Sequence, residues 1–134
     1  MGVQLAKNSI DLGIVTTNGP AMLAFYRDTL GLPFLREMPM PGGNGVMHQL
    51  SCGETMIKLV VLPSTAAQAA PGGIAGATGY RYWTMTVTNL PEMVQVCETH
   101  GHKVIVKERE LRPGIKIAIV ADPDGNWVEF LSLG

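Results

Sequence analysis

Several features that would assign this chain to a specialised class are scarce in its sequence. The 134 residues include only two cysteines, Cys52 and Cys97, which form neither a CxxC pair nor a disulfide framework. An excess of either charge is lacking, since ten Lys and Arg stand against eleven Asp and Glu, and this excludes a basic nucleic-acid-binding stripe. Apolar runs are no longer than a strand, which excludes a membrane span, and no secretory signal is visible. We therefore expect a cytoplasmic globular protein that binds neither nucleic acid nor membrane.

What the sequence does contain is an internal repeat. Residues 17–22 (TNGPAM) return as residues 88–93 (TNLPEM), 71 positions later. In each copy an Asn lies just before a Pro, which is typical of a capped helix start. Apolar residues then recur with a helical period. Gly31 and Gly101 follow the two predicted helices, where a left-handed residue ends a helix.

Each predicted helix follows one strand and precedes three. The pattern predicts strands at 9–16, 33–38, 45–51 and 55–62, and again at 80–88, 103–111, 115–121 and 126–132. Residues 63–79, rich in Ala, Gly, Pro, Ser and Thr, predict a flexible connector. The chain is therefore an α+β protein of two βαβββ modules, about 8–62 and 80–132. Because neither module has enough surface to bury alone, we expect one domain over 1–134, with the sheets curled around a shared cavity.

Two local motifs accompany this order of elements. They are FYRDTLG at 25–31, on the first predicted helix, and DPDGNWVEF at 122–130, near the end of the chain. Together with the repeat, they resemble the vicinal oxygen chelate superfamily, which includes glyoxalases, bleomycin-resistance proteins and extradiol dioxygenases. The resemblance extends from about residue 8 onward. It implies the glyoxalase-like fold and a small-molecule substrate or ligand, and it leads us to expect a homodimer.

The resemblance also implies a site. Enzymes of this superfamily typically hold one divalent metal at four inward-facing positions, usually His, Glu or Gln, His and Glu. The matching positions here are Asp11, Lys58, Tyr82 and Glu129, of which only the last fits that pattern. A lysine ammonium has no lone pair to donate, and a tyrosine phenol must first lose its proton. We therefore expect no metal and no other cofactor. If a metal does bind, the expected ligands are Asp11, His48 and Glu129.

The four ionisable positions favour catalysis without a metal. In this hypothesis the chain is a lyase, isomerase or hydrolase that acts on a small oxygenated molecule in an apolar cavity. Asp11 or Glu129 takes a proton, while Lys58 and Tyr82 stabilise negative charge on a substrate oxygen. One alternative is a non-catalytic protein of the antibiotic-resistance type, which sequesters a hydrophobic small molecule. A metal-dependent, glyoxalase-like enzyme with an atypical site is another, and a purely structural ion pair of Lys58 with Asp11 or Glu129 is a further interpretation.

A second group of residues is predicted to contact the substrate. These are Met47, His48, Gln49, Met56, Trp83 and Trp127. The choice between His48 and Gln49 depends on the turn at 52–53, because a shift of one residue turns every side chain of a strand to the other face.

Overall fold

The structure, a computed structural model, describes residues 2–64, 67–70 and 72–134. Its contacts divide the chain into two compact units, Met1–Ala66 and Ala67–Gly134. Each unit holds one four-stranded mixed sheet. Among the described residues, no helix has both the length and the apolar character needed to cross a bilayer.

The first unit has one strand, one helical segment and then three strands. Its elements are β1 (Asp11–Thr16), α1 (Gly19–Leu23) with a π-helical continuation (Ala24–Thr29), β2 (Phe34–Pro39), a 3₁₀ turn (Pro41–Gly43), β3 (Val46–Cys52) and β4 (Thr55–Val61). The strand order is β1-β4-β3-β2, and β1 runs parallel to β4.

The second unit repeats this arrangement. Its elements are β5 (Tyr82–Thr86), α2 (Leu90–Thr99), β6 (Val104–Arg112), β7 (Ile115–Ala121) and β8 (Trp127–Ser132). The strand order is β5-β8-β7-β6, with β5 parallel to β8. The predicted α+β class and the doubled βαβββ order are confirmed.

Both helices begin and end where the repeat predicts, but the caps differ in detail. A proline lies in the first turn of each helix, although neither Asn18 nor Asn89 makes the predicted side-chain capping bond. Asn89 instead donates from Nδ2 to Oε2 of Glu92, at 3.0 Å. Gly31 and Gly101 have φ values of 74° and 81°, so the predicted left-handed residues after the helices are confirmed.

The two faces of each sheet differ in burial. On one face of β4, Ile57 and Leu59 are fully buried, and Val128 and Phe130, 71 residues later on β8, are buried to the same degree. This is the helix side, because in the first unit Gly19 of α1 lies against the Val61 side chain of β4. Alternation along the strands places Lys58 and Glu129 on the opposite faces.

The connector predicted over 63–79 lies only partly within the described residues, since 65, 66 and 71 fall outside them. Its described portion near Gly73 is attached to the second unit. Gly73 is buried against Trp127, and a Cβ added there would collide with the indole ring. Arg81 donates from Nε to the Gly73 carbonyl oxygen at 2.9 Å. Gly73 is therefore packed against the second unit, whereas the neighbouring residues 74–80 are exposed.

Candidate functional site

The predicted ionisable residues lie on one face of each sheet. We call the first the Lys58 face, which comprises Asp11, Gly13, Arg36, Met47, Gln49, Met56 and Lys58 in the strand register. We call the second the Glu129 face, which comprises Tyr82, Thr84, Ile119, Trp127 and Glu129.

On the Lys58 face, one carboxylate lies between two ammonium groups. The Asp11 Oδ2 atom is 3.1 Å from Nζ of Lys58, and Oδ1 is 2.8 Å from Nζ of Lys7. The Lys58 and Asp11 side chains are 34% and 31% exposed, so solvent reaches the pair and screens it. The group carries one more positive than negative charge, and the Arg36 position adds a further cation on the same face.

The two lysines change the proton affinity of Asp11. Hydrogen bonds from Lys7 first, and from Lys58 second, lower the pKa of the Asp11 carboxyl below its ordinary value. A carboxylate with a lowered pKa is a weaker base, because proton-transfer efficiency follows basicity. Asp11 is thus suited to holding the Lys58 ammonium in place and poorly suited to taking a proton from substrate.

The Glu129 face holds its carboxylate differently. The Thr84 hydroxyl donates to Oε1 of Glu129 at 2.6 Å. No cation is placed against Glu129 by any ion pair found among the described residues. Its cross-strand neighbour Ile119 is only 6% exposed, which gives the carboxylate an apolar flank. Tyr82 lies on the same face beside Trp127 and is half exposed.

Two residues of these faces were missed by the sequence analysis. Gly13 of β1 is in register with Lys58 of β4, and Thr84 of β5 is in register with Glu129 of β8. These two residues are therefore the direct neighbours of Lys58 and Glu129 on the parallel strands. Asp11 and Tyr82 lie two residues earlier on the same faces. The signal was present, since residues 13 and 84 keep the 71-residue offset, but only the register shows their place.

His48 lies on the other face from Asp11. It is in register with Leu59, whereas Gln49 is in register with Lys58. The His48 ring is 6.0 Å from the Phe34 ring, and Nδ1 is 3.5 Å from Oε1 of Glu37. From the sequence alone either residue could face the site, and the register selects Gln49. The metal set of Asp11, His48 and Glu129 is therefore not supported.

Trp83, which was predicted to contact substrate, also lies away from the face that holds Glu129. It is in register with the buried Val128 and so lies on the helix side of its sheet, because alternate residues of β5 point to opposite faces. The other residues predicted to contact substrate lie on the two faces defined above. Met47, Gln49 and Met56 belong to the Lys58 face, and Trp127 belongs to the Glu129 face.

The residues of the Lys58 face do not fit a divalent metal. The ammonium of Lys58 occupies one of the positions where the resemblance implies a ligand, and it binds the Asp11 carboxylate that would otherwise coordinate the ion. Nor does any cluster of three or more His, Cys, Asp or Glu side chains suited to holding a metal occur within the ranges that the structure describes.

Comparison with known families gives a match over most of the chain. The family model described as the Glyoxalase/Bleomycin resistance protein/Dioxygenase superfamily matches residues 9–130. A comparison with curated proteins finds no match.

Solved structures share this fold. A glyoxalase family protein from Bacillus cereus superposes with a TM-score of 0.84 at 18% identity, over 98% of this chain and 97% of that one. A glyoxalase/bleomycin resistance protein from a Streptomyces species gives 0.67 at 18% identity, over 92% and 98%. Glyoxalase I from Zea mays gives 0.76 at 17% identity, over 90% of this chain and 43% of that one. At these identities the likeness establishes the fold alone.

Proposed function

The chain belongs to the Glyoxalase/Bleomycin resistance protein/Dioxygenase superfamily, and from this premise we propose that it is a metal-independent lyase, isomerase or hydrolase of a small oxygenated molecule. The observation that carries the proposal is the Lys58 ammonium, fixed 3.1 Å from Asp11. A fixed cation stabilises negative charge that develops on a substrate oxygen, and in many enzymes such stabilisation contributes more to the rate than any other effect. In this proposal the Lys58 side chain provides the positive charge that a bound metal ion would otherwise provide.

Glu129 is the proton acceptor in this proposal. Of the two predicted carboxylates, Asp11 is held by two ammonium groups, whereas Glu129 is held by the Thr84 hydroxyl. Glu129 takes a proton from a carbon next to a carbonyl, the electron pair of the broken C–H bond forms a C=C bond, and the π pair of the carbonyl moves onto its oxygen. On the superfamily resemblance, which assigns the four ionisable positions to one site, we propose that the Lys58 ammonium stabilises the resulting enolate and that Tyr82 donates a second hydrogen bond to it. Asp11 is a positioning residue that acts through Lys58.

The experiment that tests this proposal follows hydrogen exchange rather than a particular product. The purified protein is incubated in D₂O with 2-oxo and 2-hydroxy carbonyl compounds and with simple esters. Proton NMR then records loss of the signal next to the carbonyl, elimination, or ester cleavage. We expect catalysed exchange with at least one carbonyl compound, and we expect it to survive dialysis against a chelator. Exchange that is lost with the chelator and restored by a divalent cation would overturn metal independence.

One observation favours a second candidate function, the sequestration of a hydrophobic small molecule without chemistry. The Lys7–Asp11–Lys58 group fits the purely structural interpretation of the ion pair, in which Lys58 has no catalytic role and only a binding function remains. Stoichiometric binding of a ligand that is recovered unchanged, with no catalysed exchange in D₂O, would favour this function.

We also propose that the protein is a homodimer, on the strength of the superfamily resemblance, and that it is cytoplasmic, as its composition and its two unpaired cysteines lead us to expect. Light scattering of the purified chain, whose mass is 14.4 kDa, measures the assembly directly. A mass of one chain in dilute solution would contradict the dimer.

A further inference from the structure

We infer that Gln49 selects the ligand, because its side-chain carbonyl is positioned to accept a hydrogen bond from a hydroxyl or N–H group next to the oxygen that Lys58 binds. This inference rests on the proposed function, since it needs Lys58 to bind a ligand oxygen. It adds a specificity-determining residue that is not one of the four ionisable positions.

Gln49 is a buried amide whose hydrogen bonds are incomplete. The residue is 7% exposed, and its Oε1 atom is buried with no hydrogen-bond partner within the described residues. Its Nε2 atom donates to the sulfurs of Met47 and Met38, at 3.4 and 3.6 Å. Thioether sulfur is a weak acceptor, and native proteins leave few buried polar atoms without a partner. The amide is therefore held weakly, at a cost to stability.

The orientation of this amide is favoured by its neighbours. Turning the group over would place Oε1 against the Met47 and Met38 sulfurs, so that acceptors would face each other, and would leave the two N–H donors of Nε2 without partners. The carbonyl oxygen is consequently the atom left to be satisfied. A ligand that approaches it must supply a hydrogen-bond donor.

The position of Gln49 places this acceptor beside Lys58. The two residues are in register on neighbouring antiparallel strands, which brings their Cβ atoms to about 5 Å. Gly13 is in register with Lys58 on its other side, and a Cβ added at Gly13 would meet no atom of the described part of the chain within 4 Å. The Lys58 face is thus open at the Gly13 position, on the side of Lys58 away from Gln49, as far as the described residues show.

These groups define the chemistry of the ligand. The Lys58 ammonium binds a carboxylate or carbonyl oxygen, and the Gln49 oxygen accepts from a hydroxyl or N–H one or two bonds away. The Arg36 position, in register with Gln49, adds positive charge and favours an acid. Met38 and Met47 are flexible side chains that can move aside as the ligand enters.

Glycolate and methoxyacetate form a matched pair of probes, because they share a carboxylate and differ in whether the neighbouring oxygen carries a proton. Each is titrated into protein labelled with ¹³C at the methionine methyl groups, and the signals of Met38 and Met47 are followed. We expect glycolate to bind about three- to tenfold more tightly, the worth of one hydrogen bond. Gln49→Met should abolish this preference. Gly13→Val, which fills the open space, should weaken both acids.

A ligand-free measurement tests the incomplete hydrogen bonding separately. Gln49→Met removes a buried oxygen that has no partner, so the variant should melt roughly 3 °C or more above the wild type. Gln95→Met, at an exposed site on α2, is the control for exchanging Gln for Met. A lower melting temperature for Gln49→Met alone would show that the amide stabilises the fold and would overturn the inference.

The outcomes also separate this inference from the proposed function. Equal binding of the two acids by the wild type would overturn the role of Gln49 while leaving Lys58 as an oxygen-binding group. Failure of both acids to bind would overturn the inference together with the oxygen-binding role of Lys58. A preference for glycolate without any catalysed exchange in D₂O would support Gln49 as the selecting residue and contradict the enzyme.

Discussion

The two sheets use the same backbone positions for opposite chemistry. Lys58 lies across from Gly13 on the first sheet, and Glu129 lies across from Thr84 on the second, 71 residues later in each case. In the first, a cation holds the carboxylate of Asp11, and in the second, a hydroxyl holds a carboxylate. The duplicated fold thus fixes where side chains are presented and leaves their charge free to change.

The opposite faces of the same strands show what is not free to change. Ile57 and Leu59 on β4 correspond to Val128 and Phe130 on β8, and all four are 0% or 1% exposed. Each position stays apolar because a polar group there would be buried without a partner. Packing therefore keeps the buried helix side alike in the two modules, whereas the Lys58 face and the Glu129 face have diverged.

The largest expected effect comes from removing the two charges that distinguish the modules. Under the proposed function, Lys58→Met and Glu129→Gln should each lower catalysed exchange in D₂O about 100-fold or more, because one removes the proposed charge stabilisation and the other the proposed proton acceptor. Exchange rates measured by NMR give both effects.

The controls for this pair are Lys107→Met and Glu110→Gln, which make the same chemical changes at exposed positions of β6. They should leave the exchange rate unchanged. The double variant of Lys58 and Glu129 should lose less than the product of the single losses, because groups that act in one step are not additive. Wild-type rates in both single variants would refute the assigned roles.

A smaller effect is expected from the partners that position those charges. Asp11→Asn and Thr84→Val should each lower kcat/KM about tenfold, the loss of one charge-assisted hydrogen bond. Thr84→Ser keeps the hydroxyl and should restore most of the activity, which a role in packing alone would not explain. If Thr84→Val and Thr84→Ser behave alike, the hydroxyl has no part in holding Glu129.

Much of the fold could be predicted from the sequence because its signals are local. The repeated TNxP motif indicated both helix starts, and Gly31 and Gly101 have the left-handed backbone expected of them. The π-helical continuation of α1 was not anticipated. It is seen in the N–H of Leu30 bonding to the Phe25 carbonyl, a change of one residue in hydrogen-bond register that composition does not reveal.

The candidate site was harder to predict from the sequence, because it depends on pairing between distant strands. Alternation along β4 places Lys58 opposite to Ile57, but it does not reveal that Gly13 is its neighbour or that His48 faces away. Trp83 was predicted on the wrong face for another reason, since alternation along β5 alone places it opposite to Tyr82. The neighbour of Lys58 and the face of His48 each depend on a register of one or two residues, which local sequence cannot fix when both faces contain apolar residues.

The smallest expected effect is on the pKa of the Asp11 carboxyl. It tests whether the two neighbouring lysines set the charge of this group. Lys7 is the larger cause of the lowered pKa and Lys58 the smaller. Lys7→Met should therefore raise the pKa of Asp11 more than Lys58→Met does, as followed by the ¹³C shift of its carboxyl carbon. Lys107→Met should leave it unchanged.

The sign of the accompanying stability change follows from the direction of the shift. Because the folded state lowers the pKa of Asp11, its contribution to stability is present above the ordinary carboxyl value near pH 4 and is lost as the pH falls through the folded value. Both lysine variants should therefore lose less stability than the wild type as the pH falls through this range. If neither variant moves the titration, the ion pairs do not set the charge of Asp11, and basicity cannot be the reason for assigning proton transfer to Glu129.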